Sequence, residues 1–362
     1  MDAKKQKKKF IYNLSIYLMI IVGYVVVTFL SSNHMLSSLV EGLLVPFCTY
    51  SIAAIALNLV VGISGELSLG HAGFMCVGAF ASAIYTRYMK FLGIESYQIF
   101  IIGLIIGIFA AALVGFLIGI PVLRLRGDYL AIVTLAFGEI IKNIFNAVYF
   151  GIDSKGFHFS LKNTMDLGLE KDGIVIIKGA QGITGVPNYS SFLIGVILLL
   201  IVVAVSLNLI HSRTGRNIKA LRDNRIASES IGISAFKYKM IIFTISAAMA
   251  GAAGVLYAHN LTSLTASPKN FGYNMSITIL VFVVLGGMGN IRGSIISAVL
   301  LTLLPELLRK VQSGTTDYRM LIYSIVLILV MLFTSAPKLI ALRIKIKNLF
   351  LTKVLKKKVE ED

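Results

Sequence analysis

Three clusters of residues carry groups that could do chemistry. Between Asn58 and Phe74 an apolar run is interrupted by Gly62, Gly65, Gly70 and Gly73, with Glu66, Ser68 and His71 among the glycines. Further on, Glu139 is followed by Lys142 and Asn143, a spacing that puts all three on one helix face. The third is a basic, helix-prone stretch, Gly215 to Lys239. Carboxylates and an imidazole within apolar segments can relay protons or line a path for a polar solute. A basic stretch can hold a partner or a membrane surface. Nothing here makes an enzyme: HExxH, GxSxG, paired carboxylates and a Cys/His cluster are all lacking, so we assign no catalytic residue and no metal ligand.

The elements that position these groups follow from composition. Of 362 residues, 57% are hydrophobic and 14% charged. Apolar runs fall near 10–30, 41–62, 71–88, 97–120, 128–150, 190–210, 238–259, 274–291, 294–310 and 318–335. Runs of about 18 or more such residues exceed ordinary core helices. The expected fold is therefore all-α, a polytopic membrane protein with about ten spans. The net charge of +17 sits mostly in the two tails and in 213–239, which holds seven Lys/Arg. Topology and anionic lipid explain that distribution, so nucleic-acid binding is rejected. An even span count with two basic tails places both termini in the cytoplasm. The expected division is a basic tail 1–9, a transmembrane domain 10–337, and a basic tail 338–362. Within the domain, 151–189 is an external loop marked by turns and 211–237 a cytoplasmic loop.

Each cluster has a plain alternative. A Gly-rich break carrying Glu66 and His71 is either a re-entrant or discontinuous element near a solute path, or a polar loop between spans. Glu139 lies about three turns into its helix after Asp128, and either pairs structurally with Lys142 or lines a path. Ser246, Ala250, Gly254 and Ala258 form a small-xxx-small ridge, for which packing is sufficient. His259 ends that ridge as an interfacial residue. LGGMGNIRGS (285–294) lacks GK[ST] and a preceding strand, so it is no phosphate loop; its glycine spacing loosely echoes 62–70. Cys48 and Cys76 read as small buried hydrophobes.

The blocks LNLVVGISGELSLGHAGF, LRGDYLAIVTLAFGEI, TGVPN, RTGRNIKALRDNRIASESIGISAFKYK and SPKNFGYNMSITILVFVVLGGMGNIRGS occur in this order from Leu57 to Ser294. Together they resemble the LivM-type permease subunits of branched-chain amino-acid ABC importers, over about two thirds of the chain. Asp128 and the segment Ala227–Ser230 depart from the family pattern. The resemblance implies a multi-pass protein of the bacterial inner membrane. It implies a LivH-type second permease, two ATP-binding subunits and an extracytoplasmic solute-binding protein, with Mg-ATP on the partner chains and no cofactor on this one. It implies that Gly215, Arg216, Ala220, Arg222, Glu229 and Gly232 belong to an ATPase-docking element. Asn58, Glu66, Ser68, His71 and Glu139 are the candidates for the solute pathway. The alternative is a proton-coupled secondary transporter that uses Glu66, His71 and Glu139 as its relay.

Overall fold

The computed structural model describes residues 2–308 apart from 95, 126, 171 and 172, together with 324, 325 and 328. Helices α1 (Asp2–Ser32) and α2 (Ser38–Asn58) come first, and a π-helical turn, Leu59–Ser64, extends α2. Then follow α3 (His71–Phe91), α4 (Tyr97–Val122) and α5 (Asp128–Ala147). Strands β1 (Tyr149–Asp153), β2 (Gly156–Ser160), β3 (Ile174–Lys178) and β4 (Ile183–Thr184) lead into α6 (Phe192–His211). Two short helices, α7 (Arg213–Asp223) and α8 (Arg225–Ser230), precede α9 (Ala235–His259) and β5 (Ser263–Leu264). The described order closes with α10 (Pro268–Phe271), α11 (Tyr273–Gly286) and α12 (Ile291–Leu307). Residues Met1–Thr302 make one unit and Leu303–Asp362 another.

Nine of the ten apolar segments coincide with helices; the tenth, 318–335, and the tail 338–362 lie outside the described residues. Among the described residues, seven helical stretches are long and apolar enough to cross a membrane. Two helices on expected spans, α3 and α12, are not among them. Helix α3 is rich in Gly, Ala and Ser and carries His71, Arg87 and Lys90, while α12 is 17 residues long.

The centre of the bundle is α3, α4 and α9 packed against one another, and small residues are the reason. A Cβ on Gly254 would lie 2.0 Å from the Met75 carbonyl oxygen, so α9 and α3 touch backbone to backbone. This confirms the packing reading of the α9 ridge. Helix α4 contributes a second ridge, Gly103, Gly107, Ala111, Gly115 and Gly119, that faces α3 and α9. Cys48 and Cys76 are buried thiols within this core.

The segment expected to be a loop of turns contains a sheet. Strands pair antiparallel in the order β2-β1-β3, with Asp153 opposite Gly156 at the tight β1–β2 turn. Strand β4 pairs with β5, tying 183–184 to the segment after α9. Asp153 organises the turn: its Oδ1 accepts the Lys155 N–H at 2.8 Å and the Gly156 N–H at 3.2 Å. Its Oδ2 accepts the Glu170 N–H at 3.3 Å and lies 3.0 Å from His158 Nε2. Burial pushes this carboxyl upward, but those backbone N–H groups and the imidazole outweigh it and hold the pKa below the ordinary carboxylate value. His259 is buried at the same end, its Nδ1 donating to the Pro187 carbonyl and its Nε2 meeting Ser82 Oγ, both at 3.0 Å. It is a satisfied core histidine rather than an interfacial one.

Candidate functional site

At the opposite end of the bundle two of the three clusters, 58–74 and 215–239, meet. Ser212 caps α7 by accepting the Gly215 N–H at 3.1 Å. Gly215 itself sits against the Leu209 and Ile210 carbonyls, where a Cβ would come within 2.2 Å. This lets the chain reverse sharply from α6 into α7. The exposed Arg216 donates to the His211 carbonyl, while Ala220 is half-buried. Asn224 separates α7 from α8 and caps the latter through the Ala227 N–H. Glu229 pairs with Arg225 one turn earlier at 2.9 Å, and Gly232 follows with φ of 86°. Ile226 and Ile231 stand 82% and 75% exposed beside them.

Arg222 connects this element to the bundle. Its guanidinium donates to the Gly62 carbonyl at the end of the π-helical turn, where unsatisfied carbonyls carry partial negative charge. Its stem packs against Gly65, whose φ of 75° and lack of a side chain let the chain turn beneath the arginine. Asn58 makes the next link: its Nδ2 donates to Ser294 Oγ at 2.8 Å and its Oδ1 accepts the Gly289 N–H at 2.7 Å. The glycine segment 62–65 and the turn 287–290 are therefore in contact. Glu66 forms an ion pair with Lys239 in the first turns of α9. The extended π-helical turn thus carries Glu66 to the end of the bundle shared with α7.

From Glu66 the chain runs without helix to Gly70 and returns into the core, where α3 begins. The break is thus a discontinuous element rather than a loop outside the bundle. The Leu69 N–H donates to Thr134 Oγ1 at 3.0 Å, and the Ala72 N–H to Ser276 Oγ at 3.2 Å. His71 is buried. Ser246 Oγ gives its only proton to the Ala56 carbonyl, so His71 Nε2 must donate to that oxygen, at 2.7 Å. His71 Nδ1 is then the acceptor facing Ser68 Oγ at 3.4 Å.

Glu139 occupies a different place. Its Oε1 accepts the Tyr273 N–H at 2.7 Å, and its Oε2 is bonded by Lys142. A carboxylate thus caps the start of α11, and the structural pair expected from the i, i+3 spacing is present. Among the described residues no hydrogen bond joins Glu66, His71 and Glu139 to one another. The residues that hold these groups, Thr134, Lys239, Ser246, Ser276 and Ser294, were not singled out as polar partners. Only Ser246 carried a signal, as the first member of the α9 ridge.

A bundle of apolar helices, two of which start inside it, with an exposed helical pair bolted to one end, is the architecture of a membrane transport component. A family model described as branched-chain amino acid transport system / permease component matches residues 39–331, and the chain belongs to that family. It is 38% identical over 311 residues to the high-affinity branched-chain amino acid transport system permease protein LivM of Escherichia coli (strain K12), covering 83% of this chain and 70% of that protein. The LivM of Salmonella typhimurium is 38% identical over 294 residues, covering 78% and 66%. The match thus spans about two thirds of these relatives' own length. The LivH permease protein of Salmonella typhimurium is 23% identical over 286 residues, covering 78% and 89%. No solved structure matches.

Proposed function

We propose that this chain is a multi-pass permease subunit of the bacterial plasma membrane, with both termini cytoplasmic, in an ATP-driven importer of branched-chain amino acids. ATP is hydrolysed on two partner subunits, a LivH-type permease completes the pathway, and an external binding protein delivers solute at the end carrying the sheet. The observation that carries this reading is the bond from Arg222 to the Gly62 carbonyl. It makes the exposed α7–α8 pair a handle on the discontinuous segment between α2 and α3. Glu229, Ile226 and Ile231 form the exposed part of the handle. A partner that binds one permease state better than the other shifts the equilibrium by that difference.

The test is Glu229→Arg combined with Ile226→Glu in the reconstituted complex. Both side chains are exposed, so the chain keeps its amount and thermal stability, while ATP-dependent uptake falls at least tenfold and the ATPase no longer co-purifies. Undiminished uptake overturns the docking role. The proton-coupled alternative draws no support from Glu66, His71 and Glu139, each of which is held by its own local partners. Gradient-driven uptake by this chain alone, without ATP, would restore it.

A further inference from the structure

The outward faces of the spanning helices differ in chemistry. Helix α4 presents Ile101, Ile105, Phe109, Leu113 and Phe116 to the outside, which is what hydrocarbon accepts. Helices α5 and α11 present Ile132, Ile140 and Ile277 interleaved with Asn143, Tyr273 and Asn274, all exposed. The depth of this mixed face follows from geometry. Glu139 lies eleven residues beyond Asp128 in a 20-residue helix, about 17 Å along a path of about 30 Å. The Tyr273 N–H bonds Glu139, so the start of α11, with Asn274, stands at the same level near the middle of the span. A primary amide turned outward there has no hydrogen-bond partner in lipid, so hydrocarbon is a costly surrounding for it.

We infer that the face shared by α5 and α11 lines a water-filled path for a small solute with a polar head and an aliphatic side chain. This rests on the importer reading and names the surface that would carry its solute. Asn143, Asn274 and Tyr273 offer neutral donors and acceptors to both ends of a zwitterion without holding either by charge. Ile132, Ile140 and Ile277 offer contact to a branched aliphatic group. Glu139, which the sequence nominates for this role, is committed instead to Lys142 and the Tyr273 N–H.

The experiment uses the assembled complex in proteoliposomes, with Cys48 and Cys76 replaced by alanine, and single cysteines in Asn274→Cys, Ile277→Cys and, on α4, Ile105→Cys. The probe is a membrane-impermeant cationic methanethiosulfonate, with and without L-leucine. The expected result is labelling at 274 and 277 at least tenfold faster than at 105, slowed by L-leucine. Rates at 274 and 277 no faster than at 105 overturn the inference, whether lipid or a dry protein contact covers the face. Fast labelling indifferent to L-leucine in every nucleotide state also overturns it, leaving a wet crevice without a solute. ATP-driven leucine uptake by the cysteine-free background, measured in the same vesicles, separates failure of this inference from failure of the importer reading.

Discussion

Helices α3 and α11 both begin inside the bundle, and their first turns are satisfied by opposite means. The start of α11 receives a carboxylate, Glu139, whose charge suits the positive end of the helix and is in turn matched by Lys142. Around the start of α3 the Leu69 and Ala72 N–H groups are met by neutral hydroxyl oxygens, those of Thr134 and Ser276. The first arrangement is anchored by charges that become costly once separated; the second is held by hydrogen bonds that exchange at modest cost. A helix end fixed by charge suits a static wall. One fixed by hydroxyls suits a segment that shifts, and α3 is the helix fed by the non-helical segment that begins where Arg222 docks on Gly62 and Gly65.

Breaking the charged cap has the largest expected effect. Glu139→Gln leaves Lys142, whose side chain is 8% exposed, without its counter-ion, and should destabilise the chain by about 3–5 kcal/mol. Fluorescence-detected gel filtration after heating reads this as the largest fall in melting temperature of the set, and Lys142→Met in the same chain recovers most of it. A fall no greater than that of the next variant would erase the contrast. Thr134→Val leaves the Leu69 N–H without its acceptor and should cost about 1–3 kcal/mol, while Thr134→Ser keeps the oxygen and stays near the parent in the same assay.

The smallest effect comes from the outer sheet, where Asp153 gathers backbone N–H groups outside the bundle as Glu139 does within it. Its folded pKa is depressed, so its contribution is complete above the ordinary carboxylate value and is lost as pH falls through the folded one. Cleavage of the 154–173 segment by an acid-active protease should accelerate across that acidic window. In Asp153→Asn the segment is cleaved readily throughout, with no acid-dependent step.

How much of this the sequence disclosed depends on distance along the chain. The helices follow from apolar run length, and Glu139–Lys142 from helical period, because both are local. The bond from Tyr273 N–H to Glu139 crosses 134 residues and the one from Asn58 to Ser294 crosses 236, and no spacing rule reaches that far. The α4 glycine ridge was visible at its four-residue period but lay within a run read only for hydropathy. The strands are not legible because β1 and β2 are only five residues long and carry Gly151 and Gly156 within them, a pattern that reads as turns. Asn274 gave no sign, since outward direction at depth belongs to the assembled bundle.

The cluster at the α7 end also has a mechanical meaning. Arg222, Gly62, Gly289, Asn58 and Ser294, with Lys239 and Glu66 beside them, cross-brace the feet of α2, α9 and α12. Close-packed, hydrogen-bonded material of this kind has low compliance. A push on α7 would therefore pass to the braced feet together, leaving the non-helical segment from 67 to 70 as the joint to bend.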